Sequence, residues 1–407
     1  MVKWLNVTID QVAHIEMGQS PSSVGYNAVG DGVPLIQGNA DIINGKTVKR
    51  VWTSLITKTC EKSDIILTVR APVGSVAYAT EKACIGRGVC AIRPERIVRS
   101  FLFQYLLQFQ SKWRRLEQGS TFTAINHKDV ASFVLTIPES IEEQQEIAEI
   151  LATCDEVIES TERLIEKYQA IKTGMLKDLM TRGIGEDGRL RPRPDEFPLL
   201  YKDSCLGPIP RGWTVKRLEQ LGTIYSGSTP STADETYWGG NIPFVTPNDM
   251  SRTSHAFLGK TSRSITEKGL TKTRLIPGGN LVVSTRAPIG YLNLILSDFT
   301  TNQGCKSIVF NDQQDPLFHY YNMHMYVKTM INYGVGTTFA EISKNDISKL
   351  RISLPDTIKE QQKIATVLDG VDKKIQAEQK LLAKYRQIKQ GLLKQLLTPC
   401  NGVSSNV

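Results

Sequence analysis

The sequence predicts an α+β chain: two tandem copies of one globular domain, each followed by a long helix, with the two helices antiparallel, coiled-coil-like and related by pseudo-two-fold symmetry. Three observations predict it. Short strings recur along the chain at a nearly constant offset. Each recurring region ends in an apolar-Pro step and Glu-Gln-Gln, at Ile137-Pro138 with Glu143-Gln144-Gln145 and at Leu354-Pro355 with Glu360-Gln361-Gln362. After each comes a proline-free heptad rhythm of about forty residues.

The repeat opens at Trp4-Leu5 and Trp213-Thr214, and Ile15-x-x-Gly18-x-x-Pro21 returns as Ile224-x-x-Gly227-x-x-Pro230. Pro34 with Asn39 matches Pro243 with Asn248 at the same offset of 209. Arg70-Ala71-Pro72-Val73-Gly74 is answered by Arg286-Ala287-Pro288-Ile289-Gly290, and Gly119-Ser120-Thr121-Phe122 by Gly336-Thr337-Thr338-Phe339, by which point the offset is 217. Loop insertions account for the drift, so the anchors recur while the loops between them differ.

Within each globule the apolar runs 65–69 and 280–284 read as strands that end in the Arg-Ala-Pro-x-Gly turn, and 88–92 and 306–310 as the next strands. Helices fit 99–116 and 316–333, and shorter ones start at 126 and 343, where Asn126 and Ser343 suit N-caps. In the first long helix Ile147, Cys154, Thr161, Tyr168 and Met175 fall seven apart, three residues from Ile150, Val157, Leu164 and Ile171. Ile364, Val371, Tyr385 and Leu392 repeat the rhythm beside Val367, Leu381 and Ile388. This 3.5-residue spacing marks helices that bury one face against another helix, each roughly 60 Å long. The segments are 1–138, 139–181, a linker 182–212 rich in Gly, Pro and Arg and expected to be exposed, 213–355, 356–398 and a tail 399–407.

Composition narrows the function. A chain of 407 residues suggests two to three domains. No apolar run is long enough for a membrane span, and the N-terminus has no leader character, so a cytoplasmic location is expected. Seven cysteines without a C-x-x-C pair, and scattered histidines, suit reduced thiols better than a disulfide frame or a metal site. Net charge is +6 over 1–138, −7 over 139–198, +5 over 199–355 and +4 beyond. Two basic globules separated by an acidic stretch suggest a polyanionic partner. There is no Walker sequence, no metal-dependent nuclease pattern, no amino-methyltransferase Asn-Pro-Pro-aromatic loop and no dinucleotide fingerprint, which favours recognition over catalysis.

The order globule, helix, globule, helix, with each globule closed by Ile-Pro or Leu-Pro and each helix opened by Glu-Gln-Gln, resembles the specificity subunit of type I restriction-modification enzymes over nearly the whole chain. The resemblance implies a non-catalytic chain whose two target-recognition domains bind double-stranded DNA. It also implies two methyltransferase subunits that use S-adenosylmethionine and two motor-endonuclease subunits that use ATP and Mg, with no cofactor and no metal on this chain. Antiparallel helices would present the two domains to half-sites of opposite polarity, about one turn or roughly 34 Å apart. The expected target is bipartite and asymmetric, with an unread spacer set by helix length.

Candidates for base contact are positions that differ between copies: Gln37 against Thr246, Arg87 against Asn302 and Gln303, and Thr123-Ala124 against Ala340-Glu341. Asn39 and Asn248, and Arg70 and Arg286, are matched candidates, Lys128 and Lys344 are further ones, and identity in both copies favours phosphate contact or a structural role for the arginines. Ser120, Thr121, Thr337 and Thr338 precede short helices, where they suit phosphate or helix capping equally. For Glu143, Gln144, Gln145, Glu360, Gln361 and Gln362 the alternatives are a solvated first turn and a docking surface for the methyltransferase subunits. The rival to DNA recognition is a structural or partner-bridging coiled-coil protein without a nucleic-acid role; a methyltransferase with a dispersed site is a third reading.

Overall fold

A computed structural model of the chain describes residues 3–110, 113, 124–253, 255–334 and 341–399. They form two compact units, 1–163 with 380–407 and 164–379.

In the first unit Trp4–Thr8 pairs antiparallel with Val134–Pro138, with Trp4 opposite Pro138. A mixed sheet then runs in the order Ala13–Met17, Val89–Pro94, Ile65–Thr68, Val76–Tyr78, Lys46–Thr47, Ile42–Ile43. The second unit repeats the scheme. Trp213–Arg217 pairs with Arg351–Pro355, with Trp213 opposite Pro355, and the central sheet is Gly222–Ser226, Cys305–Phe310, Asn280–Ser284, Leu292–Ile295.

The apolar runs are continuous because both faces of the central sheet are covered. Ile65 and Leu67 join a core with Phe101, Leu102 and Leu106, whereas Ile66 points into a second core with Ile36, Val89 and Ala91. Leu281 and Val283 likewise face one core and Val282 the other. The turns after these strands are built alike. Thr68 donates to the Pro72 carbonyl and Ser284 to that of Pro288, each at 2.8 Å, and Gly74 and Gly290 take φ of 92° and 98°, where a glycine is favoured.

The repeated Ile-x-x-Gly also has a physical reason. A Cβ on Gly18 would lie 2.1 Å from the Gly86 carbonyl oxygen, and one on Gly227 would lie 2.0 Å from that of Asn302. Both glycines let the first sheet strand run against the backbone just ahead of its neighbour. Gly18→Ala and Gly227→Ala are each expected to destabilise their unit by about 1–3 kcal/mol through this backbone clash. Urea unfolding measures it, and a midpoint unchanged in both variants would contradict the packing described.

The long helices are Ile141–Arg182 and Ile358–Leu396. In the first unit Asp155 meets Lys389 at 2.5 Å and Glu162 meets Arg386 at 2.6 Å, so the two helices run antiparallel there. In the second unit Lys172 meets Asp372 at 2.5 Å, and Ile184, just past the first helix, meets Glu360 at the start of the second, which again is antiparallel. Asp155 and Asp372 are matched at the offset of 217, as are Lys172 and Lys389, so each bridge is the same pair with the helices exchanged. Each aspartate also anchors a helix of its own globule, accepting from Gln104 of Arg99–Gln108 at 2.7 Å and from Tyr321 of Pro316–His324 at 2.8 Å.

Three expectations change. The helix expected over 316–333 is two helices, Pro316–His324 and Val327–Gly334. Between them Tyr326 turns inward, where its hydroxyl accepts from the Ser353 backbone at 2.9 Å. The helix expected over 99–116 is Arg99–Gln108, and residues 111, 112 and 114–116 lie outside the described residues. The linker is not simply exposed: Ile184, Tyr201 and Ile209 are buried, and Tyr201–Lys202 pairs with Ile209–Pro210. Of its three evenly spaced arginines, Arg191 turns in to Glu360, while Arg189 and Arg193 do not share that pairing.

Candidate nucleic-acid interface

In the first unit Val33–Ile36 lies parallel to Ala83–Ile85, so the loops leaving both strands emerge at one edge. That edge carries Gln37 and Asn39 from one loop and Arg87 from the other. The Arg-Ala-Pro turn adds Arg70, and the four side chains line a single surface pocket of about 360 Å³ with Ser20 and Tyr26. Tyr26 carries no sequence signal because it lies between anchors and has no counterpart in the repeat. Its hydroxyl accepts from Gln37 Nε2 at 2.8 Å and fixes that amide; Asn39 Oδ1 accepts from Ser75 at 2.7 Å. Arg70 and Arg87 are exposed, and Gln37 and Asn39 reach the surface beside them. Among the described residues neither guanidinium has an acidic partner, so the pocket offers two free forks beside two amides.

The second unit uses the same strand logic. Trp238–Val245 runs parallel to Thr300–Thr301, which delivers Thr246 and Asn248 beside Asn302 and Gln303. Here the side chains are more engaged. Thr246 caps a short helix and donates to Asp249 at 2.6 Å, Asn302 Oδ1 accepts from the Gly304 N–H at 3.1 Å, and Gln303 accepts from Thr229. Burial pushes the Asp249 pKa up, but hydrogen bonds from Ser262 and Thr246 outweigh it and leave the pKa below the usual carboxylate value. Asn248 and Gln303 are the more accessible of the set.

The two matched arginines part company. Arg286 Nε donates to Glu341 at 2.8 Å, and Lys306 lies 3.8 Å from the same carboxylate. Burial lowers the Lys306 pKa; Glu341 opposes that shift and Arg286 adds to it. Across the equivalent bridge Arg70 faces Ala124, which offers no carboxylate. Of the two alternatives for the matched arginines, Arg286 is tied into the scaffold by Glu341, whereas Arg70 has no acidic partner among the described residues.

Lys128 and Lys344 are exposed on the short helices His127–Ala131 and Lys344–Ser348, capped by Asn126 and Ser343 accepting at 3.1 Å. Ser120, Thr121, Thr123, Thr337, Thr338 and Ala340 lie outside the described residues.

The Glu-Gln-Gln turns are neither uniformly solvated nor uniformly open for docking, which corrects that expectation at three positions. Gln144 is buried, accepting from the Val98 N–H and donating to the Pro138 carbonyl, both at 2.9 Å. Gln361 does the same with the Asp315 N–H at 3.0 Å and the Pro355 carbonyl at 3.2 Å. Each glutamine satisfies a buried backbone N–H beside one helix start and the carbonyl that closes the globule. Glu360 is tied to Arg191. Gln145 and Gln362 are exposed and Glu143 is partly so, leaving these three accessible.

The profile of the family described as the type I restriction modification DNA specificity domain matches residues 1–169 and 210–386. The chain is 37% identical over 186 residues to the type I restriction enzyme MjaIX specificity subunit of Methanocaldococcus jannaschii, covering 44% of this chain and 42% of that protein. It is 24% identical over 317 residues to the HindI specificity subunit of Haemophilus influenzae, 64% of this chain and 68% of that protein. The stretch shared with the M. jannaschii protein is thus about two fifths of its length. Among solved structures, the type I restriction-modification S subunit from M. genitalium matches with a TM-score of 0.64 at 16% identity, over 98% of this chain and 97% of that one, which shows a shared fold. With two profile matches that together span most of the sequence and fall on the two copies of the repeat, the chain belongs to the type I restriction-modification DNA specificity family.

Proposed function

We propose that this chain is the DNA sequence-recognition subunit of a type I restriction-modification complex. It reads a bipartite, asymmetric target and directs adenine methylation and DNA cleavage by methyltransferase and motor-endonuclease subunits. S-adenosylmethionine, ATP and Mg serve those partners. One observation carries the reading: the copies agree where residues build the scaffold, while the loop edge carries, beside the shared Asn39 and Asn248, side chains that differ between copies. Gly18 and Gly227, Thr68 and Ser284, and Gln144 and Gln361 do the same structural work. Gln37 with Arg87 and Thr246 with Gln303 occupy corresponding edges with different hydrogen-bonding chemistry. Two readers with one frame and unlike tips suit two different half-sites.

Sequencing the modified sites in cells that express the chain with its neighbouring subunits tests this. A split motif with two unlike halves is expected; a contiguous or palindromic motif would contradict it. Gln303→Ala should then alter one half only.

The two matched arginines make a second test. Arg70→Gln is expected to weaken duplex binding for every sequence and lower the salt slope by about one. Arg286→Gln should leave that slope unchanged, because its guanidinium is held by Glu341. Equal slope changes in titrations at several salt concentrations would count against the assignment.

A further inference from the structure

We propose that Arg274 is a backbone-phosphate contact of the second unit, filling the part that Arg70 has in the first; this rests on the reading of the chain as a DNA-recognition subunit. The two copies use two matched cation positions in opposite senses. On the turn after the central strand, Arg70 has no acidic partner among the described residues, whereas Arg286 is held by Glu341 at 2.8 Å. At the other position Lys58 of the first unit pairs with Glu16 at 2.8 Å. Its counterpart Arg274 has no acidic partner among the described residues, and its guanidinium lies over the Tyr225 ring, 4.8 Å from the centroid. The backbone shows that these positions correspond. Cys60 pairs antiparallel with Ala83 and Ile276 with Phe299, both members shifted by 216, and Lys58 and Arg274 each stand two residues ahead of that pairing. Glu16 lies opposite Ala91 and Tyr225 opposite Ser307, each one residue past the isoleucine of the repeated Ile-x-x-Gly.

A carboxylate in contact with Lys58 cancels most of the charge that a phosphate would meet there. A tyrosine face attracts a guanidinium through its ring quadrupole but adds no negative charge, and stacking leaves the N–H groups around the rim of the plane available. The same place in the fold therefore presents a neutral pair in one copy and an uncompensated planar fork in the other, and that fork suits two phosphate oxygens at once. Arg274 also lies at the recognition edge. Ser228 donates its N–H to the Thr301 carbonyl at 3.0 Å and its hydroxyl to the Lys272 carbonyl at 3.2 Å, while the adjacent Thr229 donates to Gln303. Tyr225 packs on the core that includes Val245, the last residue before Thr246. Arg274 and Lys272 are both exposed, and Lys272 stands where the first unit has the uncharged Ile56. Each unit thus keeps one matched cation open and ties the other down, and the choice is reversed between them.

The test uses the full chain assembled with its neighbouring subunits, and two labelled duplexes of equal length, one carrying the modified site found by sequencing and one of random sequence. Affinity is read at several salt concentrations. Arg274→Gln is expected to lower the salt slope by about one on both duplexes and to weaken binding by about five- to tenfold at 0.1 M salt. Arg274→Lys, which keeps the charge, should restore most of the slope. Lys58→Gln should leave the slope unchanged, and Glu16→Gln, which releases Lys58, should raise it by about one. The double variant Arg70→Gln with Arg274→Gln should lose about two. A slope unmoved by Arg274→Gln would overturn the proposal, as would equal losses for Arg274→Gln and Lys58→Gln. A loss confined to one base position would make Arg274 a base reader and would also overturn it. Selective duplex binding by the unaltered complex is the separate readout: its persistence confines any of these failures to Arg274, and its absence would overturn the DNA-recognition reading as well.

Discussion

Glu360→Ala is expected to destabilise the second unit by about 3–5 kcal/mol, the range for removing one partner of a buried, hydrogen-bonded ion pair. The side chains of Glu360 and Arg191 are 13% and 18% exposed, so the surviving guanidinium would remain largely out of water without a counter-charge. Two further donors, Trp213 Nε1 and the Ile184 N–H, would lose their acceptor together. The loss should also release the chain at Gly183, which packs so closely on the Trp213 indole that a Cβ there would lie 2.7 Å from its Cζ2, and a red shift of tryptophan emission ahead of global unfolding would report it. Chemical denaturation of Glu360→Ala beside Glu143→Ala checks the contrast: a large loss for the first and almost none for the second. Equal losses would contradict the asymmetry between the two glutamates.

Arg87→Ala is expected to relax one half-site while leaving the other intact. Its exposed fork stands in the pocket with Gln37, whose amide is oriented by Tyr26, and a bidentate base contact contributes about 1–3 kcal/mol of discrimination. The variant should therefore lose roughly ten- to hundredfold preference at one base position, without a uniform loss of affinity. Selection on randomised duplexes separates the outcomes. A sequence-independent drop would place Arg87 on phosphate instead, and relaxation in both halves would contradict its assignment to one half-site.

Much of the fold was legible because the repeat exposed it. Several residues that recur at a fixed offset while their surroundings change are held by the scaffold: Gly18, Gly74 and Gln144 each prove to have a backbone reason shared with their partners. The heptad period showed where the helices run because it is a local property, but not which face is buried: Ile150, Ile171, Val367, Leu381 and Ile388 of the expected seam are exposed. The bridges Asp155 to Lys389 and Lys172 to Asp372 were not legible in the same way, since a charge on a helix does not name its partner over so long a separation in sequence. Comparing the two seams at the offset of 217 could have found them.

The recognition edge was legible in part. Differences between copies led to Gln37, Arg87 and Gln303, but identity could not show that Arg70 and Arg286 would stand in different surroundings. Their environments are set by Ala124 and Glu341, positions whose pairing with the turn is decided in three dimensions. The Glu-Gln-Gln strings looked like exposed first turns because a polar run at a helix start usually is. The middle glutamine is buried instead, since its one side chain satisfies two backbone groups.

The central claim is that helix length fixes the spacer between half-sites. Deleting a heptad within 151–157 would confound the test, because Leu151 is fully buried and Asp155 holds Gln104 and Lys389. Removing residues 160–166 and the matched 377–383 together keeps both aspartate bridges and shortens each helix by about 10 Å. Sequencing the methylated sites of that variant should show both half-sites unchanged and the spacer shorter by about three base pairs, at roughly 3.4 Å each. An unchanged spacer in a folded, active variant would contradict the account.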